Sequence, residues 1–178
     1  MRPLVHRLPV LFAAVLALFL SGCILSEGPL FDTADAVTPL EPGRYEARER
    51  ADDGTFKPTG KAVTLTLAGT TYTMSEEGQD PVPFTLYEEA DGLFVAMAHD
   101  PDEPEAGYAP LRIEGGEIVF WAAVCEVAED NGVLANYPQI ENDGLSCTLP
   151  DKDTLVAFLG AYAATAQPDF RYVLVNRT

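Results

Sequence analysis

A two-residue hydrophobic period constrains this chain more than any other feature. Across residues 62–68, Val63, Leu65 and Leu67 alternate with Thr64 and Thr66. An extended segment of that pattern has one apolar and one polar face, as in a sheet with one buried side. Similar runs predict strands over 44–50, 70–74, 84–88, 93–98, 111–114, 117–127 and 170–176. Between them stand Gly69, Ala90-Asp91-Gly92 and Gly115-Gly116. These residue types supply the positive φ that tight hairpin turns need. The chain therefore reads as an antiparallel meander.

One strand departs from alternation. Ile118-Val119-Phe120-Trp121-Ala122-Ala123-Val124-Cys125 is apolar on both faces, so something must cover its outer side. The candidate is segment 151–166, where Leu155, Phe158, Leu159 and Tyr162 recur at helical spacing. Asp151 and Asp153 favour the positive end of the helix dipole, and Pro168 ends the segment. The fold class that follows is mainly β. We expect an up-and-down antiparallel meander or small β-barrel of roughly seven to nine strands with one C-terminal α-helix packed outside. The final strand closes the sheet against the first or lies at an edge. Pro42-Gly43-Arg44-Tyr45 resembles the first-strand Gly-x-Trp signature of calycin-type barrels, with Tyr45 in the tryptophan's place. That resemblance implies a closed barrel and carriage of a small apolar ligand.

The N-terminus carries a different signal. Arg2 and Arg7 precede an uncharged run from residue 8 to 26 whose apolar core, residues 10–20, is 11 residues long. A membrane-spanning helix needs about 20, so this is the core of an export signal rather than a permanent span. Leu20-Ser21-Gly22-Cys23 follows at once and resembles the lipobox of bacterial lipoproteins. The resemblance implies cleavage after Gly22 and attachment of two or three acyl chains at Cys23, enough for lasting anchorage. Ile24, rather than Asp, follows the cysteine. By similarity to the enterobacterial sorting pattern, that favours the outer membrane, facing the periplasm, over the inner membrane. Residues 23–42 contain Gly28, Pro29, Pro39 and Pro42 without a sustained period, and read as a flexible lipidated tether. Residues 43–178 then form a single β-rich domain.

Removing 22 of 178 residues leaves 156, enough for one domain with a real core. It also removes two of the 11 basic residues and none of the 28 acidic ones, so the mature chain carries nine against 28, a formal charge of −19. Nucleic acid and anionic headgroups are disfavoured partners; such a surface could attract a cationic protein, peptide or metal ion, and the plainer reading is a solvated acidic surface that favours solubility. With Cys23 assigned to lipid, Cys125 and Cys147 remain as a pair in an oxidising compartment, where a disulfide is the default. A redox or nucleophilic thiol would sit beside Glu126, Glu129 and Asp130, whose charge has the wrong sign for a thiolate.

His99 is the sole histidine left after the leader. A hydrolase reading would join it to Asp100 and to Ser75 or Ser146, but adjacent strand residues face opposite ways and no Gly-x-Ser-x-Gly elbow is present. One histidine and a paired disulfide do not make a zinc site. Asp100, Asp102, Glu103 and Glu105 offer oxygen ligands for calcium, although Pro101 and Pro104 stiffen that loop and its spacing is not that of a calcium loop. We expect no cofactor and no catalytic centre. Tyr45, Tyr72, Tyr87, Tyr108, Phe94, Phe120 and Trp121 either fill the barrel or line a cavity for a ligand. The favoured function is a non-enzymatic cell-envelope lipoprotein, a protein-binding accessory module with an acidic surface. The alternative is a calycin-like carrier of a small apolar ligand. A narrower reading is an inhibitor of a cationic hydrolase such as lysozyme, although the Ser-Gly-x-x-Tyr motif associated with such inhibitors is absent.

Overall fold

The computed structural model describes residues 24–144 and 146–177. Its strands in chain order are β1 (Ile24–Ser26), β2 (Gly43–Arg50), β3 (Phe56–Ala68), β4 (Thr71–Glu76), β5 (Val82–Glu88), β6 (Leu93–His99), β7 (Ala106–Glu114), β8 (Glu117–Phe120), β9 (Glu141–Asn142), β10 (Cys147–Thr148) and β11 (Phe170–Arg177). Among the described residues two α-helices join them, α1 (Cys125–Asp130) and α2 (Lys152–Thr165). Eight of the strands form a closed antiparallel barrel in the order β6-β5-β4-β3-β2-β11-β8-β7, with β7 pairing back onto β6. The expected mainly-β barrel with a C-terminal helix is thus the observed architecture. The last strand does not lie at an edge, because β11 fits between β2 and β8 and closes the ring.

The turns follow the expected chemistry. Asp91 and Gly92 between β5 and β6 have φ of 61° and 71°, and Gly115 and Gly116 between β7 and β8 have 60° and 86°. Two consecutive positive φ values match the right-handed twist of the flanking strands. Gly43 is required for another reason. A Cβ there would collide with the Asn176 carbonyl and lie 2.7 Å from the Leu174 side chain, so only glycine lets β2 approach β11 this closely.

Alternation sorts the side chains into two cores. Tyr45, Val63, Leu65, Tyr72, Phe84, Leu86, Phe94, Phe120 and Tyr172 point into the barrel and fill it. On the far side of the same wall, Leu93, Val95 and Met97 of β6, Tyr108 of β7 and Val119 of β8 pack under Leu155, Phe158 and Leu159 of α2. Those three helix residues are fully buried, each worth about 1.5–3 kcal/mol of transfer free energy. Asp151 caps the helix by accepting a 2.7 Å bond from the Thr154 N–H. The C-terminal end is tied to the sheet, with Trp121 Nε1 donating to the Ala166 carbonyl at 3.0 Å.

Two expectations are corrected. The strand expected over 117–127 stops at Phe120. Beyond it the Ala122 N–H donates to the Asp169 carboxylate at 2.9 Å instead of to a neighbouring strand, and residues 125–130 turn into α1. Residues 24–42, expected as a flexible tether, are bound to the barrel. Leu25 and Ser26 pair with Gly107 and Ala106, and Ile24 and Leu25 pair in parallel with Cys147 and Thr148. Phe31 stacks on Tyr87 with ring centres 4.3 Å apart. The Tyr72 hydroxyl both donates to the Leu40 carbonyl and accepts from its N–H, at 3.0 and 2.9 Å. A strap therefore runs from the outer core at Ile24 to the interior at Leu40. The signal peptide over 1–22 and the lipid site Cys23 lie outside the described residues.

Candidate functional site

The sites named from sequence do not converge. His99 ends β6 half-exposed, with Nδ1 3.1 Å from the Glu105 carbonyl oxygen. Asp100 Oδ1 accepts from the Asp102 N–H at 3.0 Å, a turn-forming bond. Ser146 donates its hydroxyl proton to Asp143 at 3.2 Å, and Ser75 sits in β4 opposite Thr64. These bonds do not join a serine to His99. Among the described residues no group of three or more His, Cys, Asp or Glu side chains converges as a metal site. Cys125 and Cys147 meet in a disulfide that closes 22 residues of chain, with Cα atoms 5.5 Å apart.

Burial sets the character of the remaining titratable groups. The phenols of Tyr45, Tyr72 and Tyr108 are pushed above their ordinary range by desolvation, and that of Tyr172, sealed inside the barrel, most of all. Tyr45, Tyr72 and Tyr108 use their hydroxyls as hydrogen-bonding struts rather than as acids. Tyr108 accepts from the Leu30 N–H at 2.9 Å and shares a 2.8 Å bond with Ser26 Oγ. The carboxyl of Asp169 is also raised by desolvation, against the lowering effect of the Ala122 N–H and of Arg50.

The feature that sequence reading missed is a breach in the barrel wall. The ladder between β5 and β6 reaches only to Thr85 opposite Met97, although β5 starts at Val82 and β6 continues to His99. Past that point β5 stays with β4, Val82 lying opposite Met74, while β6 stays with β7, His99 lying opposite Ala106. The strands splay, and a cavity of about 550 Å³ opens between them. Its apolar surface comes from Leu25, Val82, Ala98 and Pro81, Pro83 and Pro101. Asp80, Asp100, Glu103 and Glu105 stand around it, all exposed. A second cavity of about 410 Å³ lies beside the strap, between Ser26 to Leu30 and Thr148 to Pro150. Neither draws on the aromatic residues of the interior.

Charge is distributed unevenly around the ring. No Lys or Arg occurs between Lys61 and Arg112, a stretch with ten acidic residues that includes all of β4, β5 and β6. The cations concentrate on β2, β3 and β11, and there they are used internally. Arg48 pairs with Glu46 at 2.8 Å, Lys61 with Glu76 at 2.8 Å, and Arg171 with Glu114 and Glu117 at 3.3 and 3.2 Å. Among the described residues, Asp80, Asp100, Glu103 and Glu105 form no ion pair. A sequence signal for this did exist, in the long interval without a basic residue, but only the closure of the ring shows that the interval makes up one side of it. Comparison with family models, with curated proteins and with solved structures gives no match. No helix among the described residues is long and apolar enough to cross a membrane.

Proposed function

We propose that the protein is a non-enzymatic, lipid-anchored component of the bacterial cell envelope whose acidic barrel engages another protein. The observation that carries this reading is the contrast between a barrel filled with its own aromatic side chains and an outer rim at which Asp80, Asp100, Glu103 and Glu105 form no ion pair among the described residues. Unpaired surface charge of one sign steers association and selects the partner's sign. The partner is therefore cationic, and inhibition of a cationic hydrolase is a narrower form of the same reading. The lipobox at Leu20-Ser21-Gly22-Cys23 supports anchorage, and Ile24 supports outer-membrane residence facing the periplasm. Because Ile24 already belongs to the fold, acyl chains on Cys23 would hold the barrel close against the bilayer.

Two measurements test this hypothesis. Mass spectrometry of the membrane-extracted protein should give an N-terminal peptide that begins at an acylated Cys23, and Cys23→Ala should release the protein from membranes. An unmodified N-terminus at Met1 would refute the anchor. Crosslinked envelopes should return one repeatable partner with a basic surface, and the absence of any repeatable partner would refute the binding role. The calycin-like carrier is the second reading, favoured by the barrel itself. Native mass spectrometry of gently extracted protein would then show a bound apolar molecule, whereas a clean unliganded mass removes it.

A further inference from the structure

We infer that the breach between β5 and β6 is the docking groove, and that it receives an extended peptide segment of a partner in which basic residues alternate with apolar ones. The inference rests on the protein-binding reading above and gives it an address. Its geometry is that of a seam parted at one end: two strands that pair from Thr85–Met97 onward diverge before it, leaving an open trough rather than an enclosed chamber. At about 550 Å³ the trough falls within the roughly 300–1,000 Å³ of ordinary ligand sites. Its floor of Leu25, Val82, Ala98 and proline rings offers apolar contact. Pro81, Pro83 and Pro101 have no N–H to donate, so the lips are poor templates for simple strand addition and selection falls to side chains. Its rim of Asp80, Asp100, Glu103 and Glu105 finds no cation within the described residues, and the nearest basic residues in sequence, Lys61 and Arg112, lie outside the acidic stretch. Lysine or arginine from outside supplies that countercharge, while alternate apolar side chains reach the floor. The loop read from sequence as a calcium candidate is thus one lip of this groove.

The probe is a fluorescein-labelled octapeptide of alternating lysine and valine, with one valine replaced by a photo-crosslinking residue. It is titrated against the full chain in non-ionic detergent. A peptide with glutamate for lysine serves as control. Asp100→Asn/Glu103→Gln/Glu105→Gln should weaken binding of the cationic peptide at least about tenfold. Glu126→Gln/Glu129→Gln/Asp130→Asn, with the same loss of charge on exposed α1 positions, should leave it within about twofold. Crosslinks should fall on residues 80–83 and 98–107. Equal weakening by both triple variants, crosslinks elsewhere, or no binding of the cationic peptide overturns the inference. The same groove variant in envelope crosslinking separates this failure from that of the broader reading. If the wild type captures a partner and the variant keeps it, the groove is wrong and the binding role stands. If the wild type captures none, the role itself fails.

Discussion

Strands β2 and β3 place Tyr45, Ala47, Val63 and Leu65 inward and leave Arg44, Lys57 and Lys61 at the surface, whereas in β6 every residue from Leu93 to Met97 is buried. One side of the ring is thus covered once, by the interior, and the other twice, by the interior and by the layer of strap, α1 and α2. The difference shows where stability resides. On the open side, polar outward positions satisfy themselves with water and with ion pairs such as Arg48–Glu46, which at the surface contribute about 0–1 kcal/mol each. On the covered side, the wall would present Leu93, Val95, Met97 and Val119 to water if the layer lifted. The layer is therefore a condition for this barrel rather than an addition to it.

The largest expected effect comes from loosening that layer at its centre. Phe158 is fully buried, with its ring 5.5 Å from that of Tyr137 and 6.4 Å from that of Tyr162. Phe158→Ala should cost about 3–5 kcal/mol in denaturant unfolding. A loss under about 1 kcal/mol would mean that the covered wall stands by itself. Next comes the covalent link. Cys125→Ser/Cys147→Ser frees a loop of 22 residues and should cost about 3 kcal/mol, with full reduction of the wild type giving a similar loss. Unchanged thermal stability of the double variant would show that β10 and α1 hold without it.

Tyr72→Phe tests the strap at its interior end. The lost hydroxyl leaves the Leu40 N–H and carbonyl without their partner, and should cost about 1–3 kcal/mol. Proteolysis within residues 27–42 should accelerate in the same variant, and an unchanged cleavage rate would argue against the strap as a bound element. The smallest effect belongs to the seam where the two sides meet. Asp169 accepts from Ala122, donates its own N–H to Phe120 and takes the Arg50 N–H on its carbonyl. Burial raises its folded pKa, so between the unfolded and folded values the native state holds more protons, and stability falls as pH rises through that window. Asp169→Asn escapes that fall. It should gain about a few tenths of a kcal/mol over the wild type at neutral pH, after solvent screening, and lose the advantage below the carboxylate range. A gain that persists at low pH would point to another cause.

Much of the covered and open sides could be read before the structure, because both rest on local periodicity. The turn at Asp91-Gly92 and the helix bearing Leu155, Phe158, Leu159 and Tyr162 are signals carried within a few residues. The strap was not legible, since its irregular backbone is satisfied by hydroxyls of Tyr108 and Tyr72, partners 78 and 32 residues away. The end of β8 was hidden for a related reason. Ala122 is apolar and continues the pattern, but its N–H is claimed by Asp169, 47 residues later. Glu126, Ala128 and Glu129 before Gly132 did carry a helix signal for α1, outweighed by the apolar run that leads into it. The groove escaped because it is a difference between two ladders, and no single segment records where its neighbours part company.

The pairing of β1 has a mechanical consequence. A chain that left the barrel through a loose lead would absorb tension by uncoiling before any of it reached the body. Here tension applied at residue 23 meets Ile24 at once, and the slack is nil. Ile24 lies beside Cys147, and Cys147 is bolted to Cys125 at the head of α1, so the load passes sideways into the layer over β6 to β8 rather than along the strap toward Tyr72. A molecule anchored at that point would be held at the corner where β1, β10 and the disulfide meet, and the open side formed by β2 and β3 would stand away from the path of the force.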